Sequence, residues 1–352
     1  MTRPLCWVID NYEYRPCNTP AREFKMPVCL HGHSYHSEEN LGRLNYVMKL
    51  PVLNLINEFF NQAFRSKAHD DLDYNDLHYC PPISPEEVYE LELGNVRELG
   101  WEDVLIAITD HDKIAGCHEL MEARPELVPN TTVSEELSIY FDHQVIHLGV
   151  HGIPVKESDE IHKNLQEMAQ KKDHDGIFEL LHEKNCLVIF NHPLWQLKWQ
   201  GDFDRAFQSF LDRYLWAIDA FEFNGLRRRV ENDQVIDLAR RYQKPLIGGG
   251  DRHTPIASLV MTASYEAETF ADFIQEVKEG HGVVIVKNDY FLSLGWKLFV
   301  RILQYVQTYR KIVFYKNIPL TSYPVPDRMI PDLFADLSRF LTNFLTRLNL
   351  VR

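Results

Sequence analysis

From residue 104 onward the chain alternates short apolar runs with amphipathic stretches. The runs are Val104–Ile108, Val145–Leu148, Leu187–Phe190, Ile218–Phe221, Pro245–Ile247 and Val283–Val286. Segments of helical periodicity at 158–171, 176–184, 204–215, 230–243 and 267–279 separate most of them. An apolar run without alternation is a strand buried on both faces, and strands that alternate with helices form a parallel sheet. Seven or eight such units predict an α/β fold closed into a barrel rather than an open sheet. Upstream, Val28-Cys29-Leu30 reads as an earlier strand and residues 1–26 as an irregular arm over the domain. Residues 41–60 read as helix broken at Pro51, and 61–82 as an acidic loop. Ser84-Pro85-Glu86-Glu87 is a helix start, with Ser as N-cap and Glu87 completing a capping box.

The chemistry sits where the apolar runs end. The exits are Ile108-Thr109-Asp110-His111-Asp112, His147-Leu148-Gly149, Asn191-His192-Pro193, Glu222-Phe223-Asn224-Gly225 and Gly249-Gly250-Asp251-Arg252-His253. In a parallel barrel every strand C-terminus opens on one face, which holds the active site. After the early strand, residues 31–39 hold three histidines and two carboxylates, and alternation along a strand points His31 and His33 the same way. Alone, that stretch also reads as a polar strand exit, and a single buried His as a hydrogen-bonded core residue. Histidine or carboxylate at six exits points to a metal centre instead, and mixed imidazole and carboxylate sets suit Mn, Fe or Zn.

Composition narrows the class. Of 352 residues 45% are hydrophobic, enough for a substantial core and against wholesale disorder. The net charge is −14, with ten Lys/Arg against four Asp/Glu from residue 287 onward, so the first 286 residues carry −20. An acidic body disfavours a stable nucleic-acid partner and suits a protein that holds cations. The six cysteines include no C-x-x-C pair, and the N-terminal segment is interrupted by Asp10 and Glu13, so a reduced, cytoplasmic protein without a signal peptide is expected. No stretch reads as a transmembrane segment. Beyond Pro324-Val325-Pro326, Leu333, Leu337, Phe340, Leu341, Phe344, Leu345 and Leu348 form one helical stripe. It fits docking on the chain's own domain, a homo-oligomer contact or an acidic membrane surface.

Taken in order, His31-Gly32-His33, Ile108-Thr109-Asp110-His111, Glu136, His147, His192-Pro193 and Asp251-Arg252-His253 resemble the motifs of the polymerase and histidinol phosphatase (PHP) superfamily of metal-dependent phosphoesterases. Ile83-Ser84-Pro85-Glu86-Glu87, leading through Leu99-Gly100, is similar too, and the resemblance spans about 28–290. It implies a distorted (β/α)7-type TIM-like barrel, the PHP fold, with an N-terminal arm at 1–27, an insertion at about 41–82 and a C-terminal helical extension at 291–352. It also implies two or three divalent ions, Mn2+, Fe2+ or Zn2+. His31, His33, Glu136 and Asp251 would hold the first, with Glu136 bridging to a third held by His147 and His192. The second would use His111, His253 and a residue just after the H-x-H. Asp110 would orient a ligand from behind.

The chain departs from the pattern where Cys29 stands for a frequent Asp and Ser37-Glu38-Glu39 replaces an S-D-G. Glu38 is the candidate second-metal ligand, with Glu39, His36 and the insertion residues His69, Asp70, Asp71, Asp73, Asp76 and His78 as alternatives. Glu136 is preferred to Glu135 as the bridging residue. The reaction implied is hydrolysis of a small phosphorylated substrate by metal-activated hydroxide, with Arg252 gripping phosphate and Lys113, Arg227 and Arg228 as further candidates. A phosphomonoesterase comes first and a phosphodiesterase or nuclease second. An amidohydrolase-like barrel, which lacks its bridging lysine here, and a degenerate metal-binding scaffold rank below them.

Overall fold

The structure, a computed structural model, describes residues 4–40, 58, 77–81, 83–194, 203–292 and 314–316. The chain opens with a hairpin of β1 (Cys6–Asp10) and β2 (Glu13–Cys17), a short helix α1 (Pro20–Glu23) and β3 (Met26–Cys29). β4 (Glu39–Asn40), β5 (Leu77–Tyr79), α2 (Pro85–Arg97), β6 (Leu105–Ala107) and α3 (Ala115–Ala123) come after it. Next are β7 (Thr131–Phe141), β8 (Gln144–Ile153), α4 (Ser158–Lys171), α5 (His174–Glu183) and β9 (Leu187–Phe190). α6 (Phe203–Tyr214), β10 (Ala220–Asn224), α7 (Arg229–Tyr242), β11 (Leu246–Gly249), β12 (Val260–Ser264), α8 (Phe270–Lys278), β13 (Val283–Lys287) and β14 (Phe314–Lys316) complete it.

Eleven strands form one mixed sheet in the order β11-β10-β9-β8-β7-β6-β3-β12-β13-β1-β2. Only β3-β6-β7 and β9-β10-β11 are parallel; the other pairs run antiparallel. The all-parallel closed barrel expected from the run pattern is thus replaced by an α/β fold with an open, mixed ladder. The reason is local. Asp142 and His143, both at positive φ (44° and 67°), turn β7 straight back into β8, and a two-residue hairpin forces antiparallel pairing. Likewise the expected irregular arm is a hairpin, turned by Asn11 and Tyr12 (φ 49° and 65°), whose β1 pairs with β13. A His in the left-handed region costs about 1 kcal/mol that glycine escapes, less glycine's larger unfolded-state entropy. His143→Gly is therefore expected to raise stability by about 0.5 kcal/mol, read as a higher denaturant midpoint at unchanged slope.

The open ladder still curls. Thr262 Oγ1 of β12 accepts from Gly248 N of β11 (2.7 Å) and donates to Gly248 O (3.0 Å), so β11 lies against β12 through a side chain. Gly248 permits that approach, since a Cβ there would sit 2.4 Å from Met261 O. Val28, Leu105, Ala107, Leu187, Ile189, Ala220 and Ile247 form a small core inside the curl, and α8 joins it with Phe270, Phe273, Ile274 and Val277. Side chains alternate along strands, so the face that carries Ile189, Ala220 and Ile247 carries Asn191, Glu222 and Asp251 two or four residues later. The interior is apolar at the strand starts and polar at their ends. The larger core lies outside the sheet, under the helices.

α2 begins as expected: Ser84 Oγ accepts from Glu87 N (3.2 Å) and Glu87 Oε2 accepts from Ser84 N (2.8 Å). Most of the insertion and of the C-terminal extension, with His69, Asp70, Asp71, Asp73, Asp76 and the leucine stripe, lies outside the described residues. What is described there forms a three-stranded sheet, β14-β5-β4, with His78 in β5. The extension expected to be helical thus contributes a strand. Among the described residues no helix is long and apolar enough to cross a membrane.

Candidate metal centre

The histidine stretch leaves β3 between the exits of β6 and β11. Thr109 N donates to Gly32 O (2.9 Å), and His33 N donates to Arg252 O (2.9 Å). These backbone bonds hold the H-x-H, the His111 turn and the Asp251 turn side by side. His111 in turn bridges Glu136 on β7, and Asp112 N donates to Glu136 O (3.0 Å). His192 and Asp251 sit at positive φ (30° and 48°), each two residues past the end of its strand, β9 and β11. Such backbone is sparsely populated and turns each side chain inward at a cost of about 1–2 kcal/mol.

Glu136 stands at the middle. Its Oε2 lies 3.2 Å from His31 Nε2, 3.4 Å from His33 Nε2 and 3.2 Å from His111 Nδ1. Its Oε1 lies 3.1 Å from His192 Nε2, 3.4 Å from His147 Nδ1 and 3.0 Å from Asn191 Nδ2. Glu135, one residue earlier, points to the opposite side of β7, where Oε2 meets His162 Nδ1 (3.0 Å) and Gln166 Nε2 (3.1 Å). Of the two adjacent glutamates, Glu136 is the one that faces the histidines.

Four overlapping groups have ligand atoms close enough to share an ion: His31/His33/Asp251, His31/Glu136/His192, His111/Glu136/His147 and His33/His111/His253. They contain eight of the nine expected ligands. Glu38 is outside every group found among the described residues, and His33 takes the third corner beside His111 and His253. The chain turns after His33, with Ser37 N donating to Ser34 O (3.0 Å). Ser37 Oγ, not Glu38, then meets His33 Nδ1 (3.2 Å) and accepts from His111 N (3.1 Å). The alternative His36 is engaged elsewhere, its Nε2 2.7 Å from Glu119 Oε2. Glu39 lies in β4.

The donor set fits divalent cations. His31 Nε2, His33 Nε2 and Glu136 Oε2 are buried, converge, and make no hydrogen bond. Leaving three such atoms unsatisfied is costly, and a cation among them removes the cost. Burial first, then the neighbouring His253 and His111, hold His33 well below its ordinary range, in the neutral form that ligates. Burial pushes Glu136 up, but His31, His111 and His147 outweigh it and keep the carboxylate ionised. Glu222, which stands at a strand exit but was not expected to have a role, supports the site. Its Oε1 accepts from His31 Nδ1 (2.6 Å) and its Oε2 from His192 N (2.7 Å) and Asn224 Nδ2 (2.9 Å). A carboxylate only accepts here, so His31 Nδ1 carries a proton and Nε2 faces the centre. A signal was present in the sequence: a Glu inside the buried run Ala220–Asn224 shares its face with Asn224 and needs a polar reason to be there.

Two expected roles change. Arg252 does not face the opening: it is 1% exposed, its Nε lies 3.2 Å from Glu92 Oε1, and its fork donates to Thr254 O and His33 O. A guanidinium so enclosed cannot reach a substrate phosphate. Asp110, pushed up to about 6 chiefly by burial, accepts from Ser34 N (2.6 Å) and Ser34 Oγ (2.7 Å). It therefore holds the turn after the H-x-H rather than a histidine ring. Of the remaining cations, Arg227 Nη2 lies 3.2 Å from Asp251 Oδ2, Arg228 pairs with Glu231, and Lys113 is exposed.

No family model and no curated protein matches the chain. Similar solved structures include a protein from Bifidobacterium adolescentis designated a metal-dependent phosphoesterase, 14% identical, with 57% of this chain and 92% of that one covered at a TM-score of 0.38. Another is an amidohydrolase from Chromobacterium violaceum, 12% identical, covering 58% and 93% at 0.39. A third is a two-domain Bacteroides vulgatus protein containing a predicted PHP-like metal-dependent phosphoesterase, 9% identical, covering 78% and 71% at 0.43. The H-x-H, the His111 turn, Glu136, His147, His192 and the Asp251–His253 turn, on which the chain resembles the PHP superfamily, each deliver at least one side chain to the overlapping groups around Glu136.

Proposed function

We propose that this chain is a metal-dependent hydrolase of phosphate esters, a phosphomonoesterase with two or three divalent ions, Mn2+, Fe2+ or Zn2+, at the Glu136 centre. The observation that carries the reading is the convergence of five histidines, His31, His33, His111, His147 and His192, on one buried carboxylate, with Asp251 and His253 completing the ring. Such a mixed set of imidazole and carboxylate donors suits shared divalent cations. When bound, the ions supply an acidified water and neutralise charge on the phosphoryl oxygens.

The residues do the rest. Glu222 fixes the ring of His31, and Asn191 and Asn224 hold the carboxylates of Glu136 and Asp251 in place. Arg227, whose Nη2 lies 3.2 Å from Asp251 Oδ2 while its side chain is 20% exposed, is the cation that grips the phosphate. A phosphodiesterase uses the same centre and differs only in the room around the ester.

Metal analysis combined with phosphate release from an aryl monoester and an aryl diester tests this. Two or three ions per chain and faster monoester turnover are expected; release from neither ester overturns the reading. Arg227→Met is expected to raise KM about tenfold or more while metal content holds.

A further inference from the structure

The buried cation that the phosphate does not use has a different task. Arg252 lies between the two ligand pairs His31/His33 and Asp251/His253, and it touches both turns. Its backbone already bridges Gly32, with His33 N donating to Arg252 O (2.9 Å) and Arg252 N donating to His31 O (3.4 Å). Its side chain repeats the connection from behind: Nη2 donates to His33 O (3.3 Å) and Nη1 to Thr254 O (3.2 Å). Nε faces Glu92 on α2 at 3.2 Å.

Glu92 is itself held. Its carboxylate accepts from Ser258 Oγ (2.7 Å), Ser258 N (3.2 Å) and Asn95 Nδ2 (3.1 Å), with Cys29 Sγ at 3.7 Å. The pair is 1% and 2% exposed. Burying two charges is expensive, so a merely structural contact here would do as well or better as an apolar pair. What an apolar pair cannot do is bond two carbonyls at fixed spacing, which the planar fork does. Gly32 makes room for it, because a Cβ there would come within 3.0 Å of Arg252 Nη2.

We infer that Arg252 is a positioning residue: from behind the centre it sets the spacing between the His31–His33 turn and the Asp251–His253 turn, and through that spacing the affinity for metal. Glu92 orients the guanidinium and Gly32 admits it. This inference rests on the metal reading above.

The test uses the full chain, stripped of metal and titrated with Co2+ against a competing chelator, with the cobalt absorption spectrum as a second readout. Two variants are compared with the wild type. Arg252→Lys keeps the buried charge beside Glu92 but cannot bond both carbonyls. Gly32→Ala keeps the arginine and presses its fork away from His33 O. Both are expected to weaken Co2+ binding about ten- to a hundredfold and to alter the spectrum, while the metal-free chains still melt cooperatively. A role in folding alone would lower melting and leave affinity and spectrum as in the wild type, and would overturn the inference. Should Arg252→Lys not fold, Gly32→Ala decides by the same criteria. A wild-type chain that takes up no Co2+ overturns the metal reading and this inference together; wild-type uptake matched by the folded variants overturns only the role of Arg252.

Discussion

Glu136→Gln is expected to remove bound metal and to lower phosphate-ester turnover on the order of a thousandfold, about 4 kcal/mol of transition-state stabilisation. The amide keeps the shape of the side chain, yet it removes the charge that faces His31, His33 and His111 through one oxygen and His147 and His192 through the other. Two of the four ligand groups lose a member at once. Glu135→Gln is the control next door. It touches His162 and Gln166 on the far side of β7, so metal content and turnover should stay within about twofold of the wild type. Metal analysis and steady-state kinetics on both variants check the pair. Equal effects at 135 and 136, or full turnover in Glu136→Gln, would show that the centre is elsewhere.

Metal uptake near neutral pH is expected to release about one proton per chain, and affinity to rise about tenfold per pH unit. The proton is on His31. In the metal-free chain burial pushes its pKa down, but Glu136, Glu222 and Asp251 outweigh burial and hold it well above the ordinary value near 6.5. The proton is kept chiefly by the surrounding carboxylates, with Glu136 Oε2 3.2 Å from Nε2. A cation in that place must displace it. A histidine whose folded pKa is raised supports the fold below its unfolded value, and that support is lost as pH rises through the folded value. Metal-free protein should therefore lose up to about 1.4 kcal/mol per pH unit above about 6.5, while the metal-loaded protein becomes harder to strip. Calorimetric titration in buffers of different ionisation enthalpy measures the release directly. Flat affinity between about pH 6 and 8 with no proton released would refute it.

Much of this molecule was legible in the residues. Leu187–Phe190 and the Val283–Val286 stretch of β13 are strands because an unbroken apolar run can be buried on both faces, and α2 begins at a capping box its four residues spell out. β7 was not legible. Thr131–Phe141 breaks its apolar residues with the polar run Ser134-Glu135-Glu136, which is buried because Glu136 faces the histidines while Glu135 meets His162 and Gln166 on the other side. The hairpin to β8 was hidden as well, since Asp142-His143 lacks the glycine that usually marks such a turn.

The sequence by itself determined which side chains can ligate and in what order they come, because a donor type and a strand exit are both local properties. Tertiary structure decided how those donors are used. Which of two adjacent glutamates faces inward depends on the register of β7 against β8. That Ser37 turns in where Glu38 was expected depends on one turn after His33, and that Arg252 faces Glu92 rather than the opening depends on where α2 packs. Whether the ladder closes depends on β12 lying beside β11 through Thr262 instead of through backbone bonds. Each is a matter of direction between groups distant in the chain, and direction is set only when the elements pack.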